Sequence, residues 1–235
     1  MRTLVLFDID GTLLSSASAG RRAISAAFAE EFDAIDFFDA VRFDGKTDPQ
    51  IVRELYAAAG VPERATPERI DALLDRYVQY LEGELAARGH LVRTLPGIPA
   101  LLDALERVPD VCLGLLTGNI VAGARLKLGA AGIPHDRFAL GAYGSDSAHR
   151  PELPPIAARR AAAFFGHEPS GHDVVILGDT PADVTCGQGI GARAVAVATG
   201  AYDVATLEAA GAHAAFATFE DTAAVLGAIL CSNSN

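Results

Sequence analysis

Two carboxylates two residues apart open the chemistry of this chain. In Phe7-Asp-Ile-Asp-Gly-Thr-Leu13, Asp8 and Asp10 follow a short apolar run. Leaving an extended backbone, residues i and i+2 project to the same side. Their repulsion is costly without a cation, and hard oxygen ligands of this kind suit Mg²⁺. A second acidic pair, Asp179 and Asp183, stands in Gly178-Asp-Thr-Pro-Ala-Asp-Val184, again directly after an apolar run. Either pair alone could simply stabilise the start of a helix. Four carboxylates converging on one edge without a metal would be a poor electrostatic arrangement. Between the pairs, Thr117-Gly118-Asn119 offers a hydroxyl and small-residue amides at a strand-to-helix turn, a natural phosphate cradle. Alone that tripeptide reads as an ordinary helix start; its place between the acidic motifs gives it meaning. A basic residue, Arg150, precedes Pro151 further along.

The elements that must position these groups follow from the apolar pattern. Short runs at 3–7, 111–116, 138–142, 174–177 and 194–198 read as buried parallel strands, and Ala214-Ala-Phe216 closes the set. Ala-rich segments at helical spacing lie between the later ones, at about 97–108, 120–132, 154–166 and 181–190, with a last helix over 220–230. Strand alternating with helix predicts an α/β fold, a doubly wound Rossmann-like parallel sheet, whose ligands gather at the carboxyl ends of the strands. The first interval breaks the rhythm. About a hundred residues separate Asp8 from the next strand, far more than one crossover helix requires. They carry helical patterns at about 18–33, 48–59 and 66–88, with starts at Asp48-Pro49 and at Thr66-Pro67-Glu68. Residues 15–92 therefore read as an all-helical insertion, and 1–14 with 93–235 as the core. Phe28, Phe32, Tyr56, Tyr77 and Tyr80 recur at helical spacing and form the insertion's own core. Residues 231–235 read as a polar, frayed end.

Composition narrows the setting. Of 235 residues half are hydrophobic and 21% charged, which excludes disorder and coiled coil. The net charge of −11 argues against a nucleic-acid partner and means that an anionic substrate needs local basic groups or a metal. Cys112, Cys186 and Cys231 cannot pair completely and read as buried thiols of a reducing compartment. The scattered histidines offer no zinc site. The opening apolar run is too short for a signal peptide, and nothing approaches 18 uninterrupted apolar residues, so a soluble, cytoplasmic protein without a membrane partner is expected.

DIDGTLL at 8–14, LLTGN at 115–119, Arg150-Pro151 and GDTPADV at 178–184 together resemble, in order and separation, the four motifs of the haloacid dehalogenase-like hydrolase superfamily. The resemblance covers essentially the whole chain. The helical insertion looks like that family's C1 cap, and Gly45-Lys-Thr-Asp48 within it looks most like the phosphoglycolate phosphatase-like branch. The resemblance implies that Asp8 is the nucleophile, forming an aspartyl-phosphate, and that Asp10 is the acid and then the base. The dehalogenase branch lacks this second aspartate, because a halide leaves unprotonated; Asp10 thus argues for phosphoryl transfer. Mg²⁺ would be held by Asp8, the backbone carbonyl of Asp10 and Asp179, with Asp183 in water-mediated contact or paired with Arg150. Gly11, Thr117, Gly118 and Asn119 would bind phosphate. Arg150 would stand where the superfamily most often has lysine, with Arg159 and Arg160 as rivals. In the cap, Lys46 and Arg22 are the candidate substrate contacts, although in Gly20-Arg21-Arg22 either arginine could face the site. The implied activity is a Mg²⁺-dependent phosphatase of a small phosphorylated metabolite, phosphoglycolate-like or a sugar phosphate, as monomer or homodimer. A phosphomutase, a phosphonate hydrolase using Lys46 as a Schiff-base amine, and a non-enzymatic binding module are the alternatives.

Overall fold

The computed structural model describes residues 2–231; the remainder of the expected polar end, 232–235, lies outside the described residues. Strand β1 (Thr3–Phe7) is buried along its whole length. Val5 and Phe7 face one apolar cluster while Leu4 and Leu6 face another, so a continuous apolar run is what a strand covered on both faces requires. The chain then forms the two-residue strand β2 (Leu14–Ser15) and three helices, α1 (Ala19–Ala29), α2 (Asp48–Ala58) and α3 (Pro67–Arg88). It returns through β3 (Arg93–Thr94), which pairs antiparallel with β2. Helix and strand alternate from there: α4 (Ile98–Glu106), β4 (Val111–Leu116), α5 (Val121–Ala130), β5 (Leu140–Ala142), α6 (Leu153–Phe165), β6 (Val174–Gly178), α7 (Pro181–Cys186), β7 (Arg193–Val197), α8 (Val204–Ala209), β8 (Ala214–Phe216) and α9 (Thr222–Leu230).

Six strands form one parallel sheet in the order β5-β4-β1-β6-β7-β8. Residues of α4, α5 and α9 cover one face, those of α6 and α7 the other, and α8 packs beside α7 over β7 and β8. The chain runs outward from β1 to β5, then crosses to β6 on the other side of β1. Phe7 is in register with Leu115 of β4 and with Leu177 of β6. Asp8, Thr117 and Asp179 therefore leave three adjacent strands at the same edge, at the switch point where ligands of such sheets bind.

The three helices between β2 and β3 share a separate core built on Phe28, Leu55, Tyr56, Leu73, Tyr77 and Leu81. Leu126 and Ala130 of α5 pack against that core, so this helical layer leans on a core helix as well as on its connecting strands.

Several local expectations need correction. Thr47, not Asp48, caps α2, its hydroxyl accepting from Gln50 N at 3.3 Å, because Asp48 is turned toward the sheet. The helix expected over 181–190 breaks after Cys186 into a separate 3-10 turn, and α8 is an additional helix. Tyr80 is exposed on the flank of α3, its hydroxyl on Glu30, rather than part of the helical core. Cys112 and Cys186 are buried thiols, but Cys231 is exposed, since it lies past the last turn of α9. That end is fastened from the sheet: buried Arg193 in β7 donates to the carbonyls of Ala228, Ile229 and Cys231, and to that of His172. Among the described residues no helix is long and apolar enough to cross a membrane.

Candidate active site

Asp8 continues β1 by one hydrogen bond, its amide donating to Leu177 O at 2.9 Å. Its carboxylate meets those of Asp179 and Asp183, all buried, with one oxygen from each within 4.8 Å of the others. Arg150, on a single turn preceding α6, reaches into the same place: its Nη2 is 3.4 Å from Asp8 Oδ1 and forms an ion pair with Asp183 Oδ1. The rivals are elsewhere, Arg159 exposed and Arg160 paired with Asp146 at 2.7 Å. Of the roles open to it in the sequence, Asp183 shows the ion pair and the helix start in the structure. It pairs with Arg150, and it closes a capping box at the start of α7, its Oδ2 accepting from Thr180 N at 3.0 Å and Thr180 Oγ1 at 2.7 Å. Gly11 sits at φ +80°, and a Cβ there would fall on the carboxylate of Asp179. A glycine is thus required both by the turn and by the approach of that carboxylate.

Burial raises the Asp8 carboxyl from 3.8 to about 6, although Arg150 opposes it. Burial, reinforced by Asp183 and Asp8, pushes Asp179 up to about 9. Burial disfavours the charge of Arg150, but Asp183 and Asp8 outweigh it, so that guanidinium is held more firmly charged. Three buried carboxylates thus share one guanidinium, an arrangement that fits a hard divalent cation such as Mg²⁺ and is unfavourable without one. The Asp10 carboxylate does not belong to this cluster.

Asp10 instead anchors a second network. Its Oδ1 accepts from Ser16 Oγ at 2.7 Å, and its Oδ2 accepts from Asn119 Nδ2 at 2.9 Å and from Lys127 Nζ at 2.6 Å. Lys127 also donates to Asn119 Oδ1 at 2.6 Å, and Asn119 Nδ2 to Thr117 Oγ1 at 2.8 Å. Burial pushes Asp10 upward, but the Lys127 ammonium and the three hydrogen bonds prevail and hold it below the usual carboxylate range. Burial likewise opposes the Lys127 charge, and Asp10 and Asp48 more than restore it. Lys127 and Ser16 were missed from sequence. Lys127 sits in an Ala- and Leu-rich helix without any motif; its one signal is rarity, for the chain has only two lysines against seventeen arginines.

The loop leading into α2 is laid directly on this edge. Asp48 N donates to Gly118 O at 2.8 Å, Asp48 Oδ2 accepts from Ile120 N at 2.9 Å, and Thr47 Oγ1 donates to Ala148 O at 2.8 Å. A Cβ on Gly118 would collide with the Lys46 carbonyl, so this glycine exists for the crossing loop as much as for any ligand. Between the helical layer and the sheet edge lies a cavity of about 550 Å³, lined by Asp8, Asp10, Thr117, Asn119, Lys127, Arg150 and Asp179. From the helical side Lys46 and Arg21 face it. Lys46 is ion-paired with Glu54. Arg21 pairs with Asp39 at 2.9 Å and lies over the rings of Phe38 and Phe43, 5.0 and 4.7 Å from their centroids. Arg22 does not line the cavity. It points instead to Glu84 of α3 at 2.7 Å and to Ala17 O at 2.7 Å, because neighbouring residues on a helix face different sides, and Arg21 takes the position expected of it.

Comparison with known proteins agrees with this architecture. The haloacid dehalogenase-like hydrolase family model matches residues 5–197. A phosphoglycolate phosphatase of Cereibacter sphaeroides is 29% identical over 190 residues, which are 80% of this chain and 82% of that one. Another, from Rhodospirillum rubrum, is 26% identical over 230 residues, 97% of this chain and 92% of that one. A crystal structure of a hydrolase from Pseudomonas syringae has the same fold, with a TM-score of 0.73 at 22% identity over 99% of this chain and 100% of that one. A match that runs from β1 to the end of β7, on a fold shared along nearly the whole chain, settles the family: this protein belongs to the haloacid dehalogenase-like hydrolases, as a phosphatase of their phosphoglycolate phosphatase-like branch.

Proposed function

We propose that the enzyme hydrolyses the phosphoric ester of a small phosphorylated metabolite, a phosphoglycolate-like or sugar phosphate, with Mg²⁺ and through an aspartyl-phosphate on Asp8. The observation that carries this reading is the contrast between two neighbouring carboxylates. Asp8 lies among Asp179, Asp183 and Arg150, whereas Asp10 is held by Lys127, Asn119 and Ser16. Two carboxylates whose surroundings differ this much are suited to different roles, one to attack and one to move protons.

The Asp8 carboxylate attacks phosphorus, and the bond to the leaving oxygen breaks as Asp10, ionised in the free enzyme and protonated from water when the substrate's negative charge enters beside it, delivers that proton to the oxygen. Asp10, now ionised, takes a proton from a water whose oxygen attacks the same phosphorus, and the Asp8–phosphorus bond breaks to release inorganic phosphate. Arg150 holds Asp8 and screens phosphate charge. The Thr117 hydroxyl accepts from Asn119 and keeps its own proton for a phosphate oxygen. Asp8, Asp179 and the Asp10 backbone carbonyl would hold Mg²⁺, with Asp183 behind them; bound there, the ion neutralises charge on the transferring group. The helical layer, residues 15–92, acts as the cap: it excludes water and presents Lys46 and Arg21 to the anionic end of the leaving group. Lys46, paired with Glu54, is arranged as an ammonium rather than as a Schiff-base amine.

The test is release of inorganic phosphate from a panel of phosphoesters with Mg²⁺, with and without EDTA. Asp8→Asn is expected to abolish release while leaving the circular dichroism spectrum unchanged. Retained turnover in that variant would eliminate Asp8 as nucleophile.

A further inference from the structure

Lysine occurs at two positions in the chain, 46 and 127, and both line the cavity. Lys127 is 5% exposed, on the face of α5 that meets the helical layer. Its compact ammonium bonds Asp10 Oδ2 and Asn119 Oδ1 at once, each at 2.6 Å, and Asn119 Nδ2 returns to Asp10 Oδ2 at 2.9 Å. The three groups close a triangle. A guanidinium is not equivalent there, since its donors are fixed in a planar fork rather than converging on one point. The wall around the ammonium is shaped for it as well: a Cβ on Gly20 of α1 would stand 3.1 Å from Nζ, tighter than ordinary contact. The buried Tyr77 hydroxyl, which has no hydrogen-bond partner among the described residues, lies beside the same glycine.

The triangle also distinguishes the two oxygens of Asp10. Oδ2 accepts two donors and is filled, while Oδ1 accepts only Ser16 and has a lone pair in reserve. Resting on the acid–base assignment of Asp10 made above, we propose that Lys127 is a positioning residue. With Asn119 it fills Asp10 Oδ2 and thereby presents Oδ1 as the atom that gives a proton to the leaving oxygen and later takes one from water. Lys127 does not act on the phosphoryl group. Its loss should therefore matter most where the leaving group most needs a proton.

The experiment compares wild type and Lys127→Met on 2-phosphoglycolate, a poor alkoxide leaving group, and on p-nitrophenyl phosphate, whose phenolate leaves without help. On the alkyl ester kcat/KM, which reads only the steps through formation of the aspartyl-phosphate, is expected to fall about a hundredfold, the scale of general acid catalysis, and on the aryl ester by less than about fivefold; hydrolysis of the intermediate is common to both esters and does not enter this ratio. In an Asp10→Asn background Lys127→Met should change the rate by less than about twofold, because the two residues act as one unit. Equal losses of kcat/KM on both esters, or an undiminished loss in that background, would overturn the proposal. A crystal structure of Lys127→Met reads the same claim without turnover: the Asp10 carboxyl is expected to swing off Asn119, and an unmoved carboxyl refutes it. Lys127→Gln, which keeps one N–H donor, serves if the methionine variant does not fold, and should retain part of the alkyl-ester rate. A wild-type chain inert toward both esters would overturn the phosphatase reading instead, while the carboxyl's aim in the variant crystal still decides the role of Lys127.

Discussion

Asp48 is a carboxyl that the fold holds at an electrostatic loss. It is buried between the helical layer and the sheet, takes one backbone hydrogen bond from Ile120, and faces Lys127 in its favour and Asp10 against it. Burial dominates and raises it from 3.8 to about 6. A carboxyl whose folded value lies above its unfolded one favours the folded state fully only below the unfolded value. That advantage drains away as pH rises toward and through about 6. At 1.36 kcal/mol per pH unit, the elevation amounts to about 3 kcal/mol of stability lost between roughly pH 4 and pH 7. Asp48→Asn keeps an oxygen for the Ile120 amide and has nothing to ionise. For a chain of this length the unfolding entropy is about 0.5 kcal/mol per kelvin, so the asparagine variant should gain about 6 °C in Tm relative to wild type between pH 4 and pH 8. Thermal melts of both proteins in chelator across that range read the difference directly. A gap that stays constant with pH, or a variant that melts lower at pH 8, would falsify the argument that desolvation of this one group limits the stability of the closed loop.

Other outcomes follow from the same structure. Mg²⁺ at a hundred times its dissociation constant should stabilise by about 2.7 kcal/mol, near 5 °C in Tm. This gain should grow from pH 6 to pH 9 as the elevated Asp8 and Asp179 carboxyls ionise, and vanish in Asp179→Asn; a pH-independent shift, or one that survives in that variant, counts against the acidic cluster as the metal site. Gly118→Ala drives a methyl into the Lys46 carbonyl, so steady-state kinetics should show KM raised about tenfold or more and melting should show a loss of about 1–3 kcal/mol; an unchanged KM would mean that the crossing loop does not shape the substrate site. Arg193→Leu strands four backbone carbonyls and should cost about 3–5 kcal/mol, read as a drop in Tm of about 6–10 °C without a change in KM.

The parts of this molecule legible in sequence are those written in contiguous residues. Buried parallel strands show as unbroken apolar runs, and β1 and β4 begin and end where those runs do. Asp8 and Asp179 announce themselves because each follows such a run, and the sheet register does the rest. What escaped is written across the fold. Lys127 is a lone cation on a helix, and only packing α5 against α1 and α3 shows that it turns inward to Asp10. The choice between Arg21 and Arg22 depends on the azimuth of α1, which is fixed by the left-handed backbone at Ala17 and Ser18 just before it. Asp48 looks like a helix cap in sequence because its partners Gly118 and Ile120 lie about seventy residues away.

The charges lining the cavity explain why basic residues alone are a poor answer to an anionic substrate here. Six aspartates (Asp8, Asp10, Asp39, Asp44, Asp48 and Asp179) face five cationic side chains (Arg21, Arg42, Lys46, Lys127 and Arg150), and most of those cations are already engaged by carboxylates of this chain. A phosphate dianion entering such a site adds charge of the majority sign to a protein that already carries −11. Yet removing carboxylates would remove the proposed nucleophile and acid. A divalent cation at the Asp8, Asp179 and Asp183 end would resolve the conflict, since it would offset the surplus beside the proposed nucleophile and leave Asp10 in its own lysine-held surroundings. The two fixed cations then divide by shape: Arg150, planar and always charged, spans Asp8 and Asp183, at what the proposed mechanism makes the end where the new bond forms, and Lys127, a compact ammonium, holds Asp10, at what it makes the end where the old bond breaks.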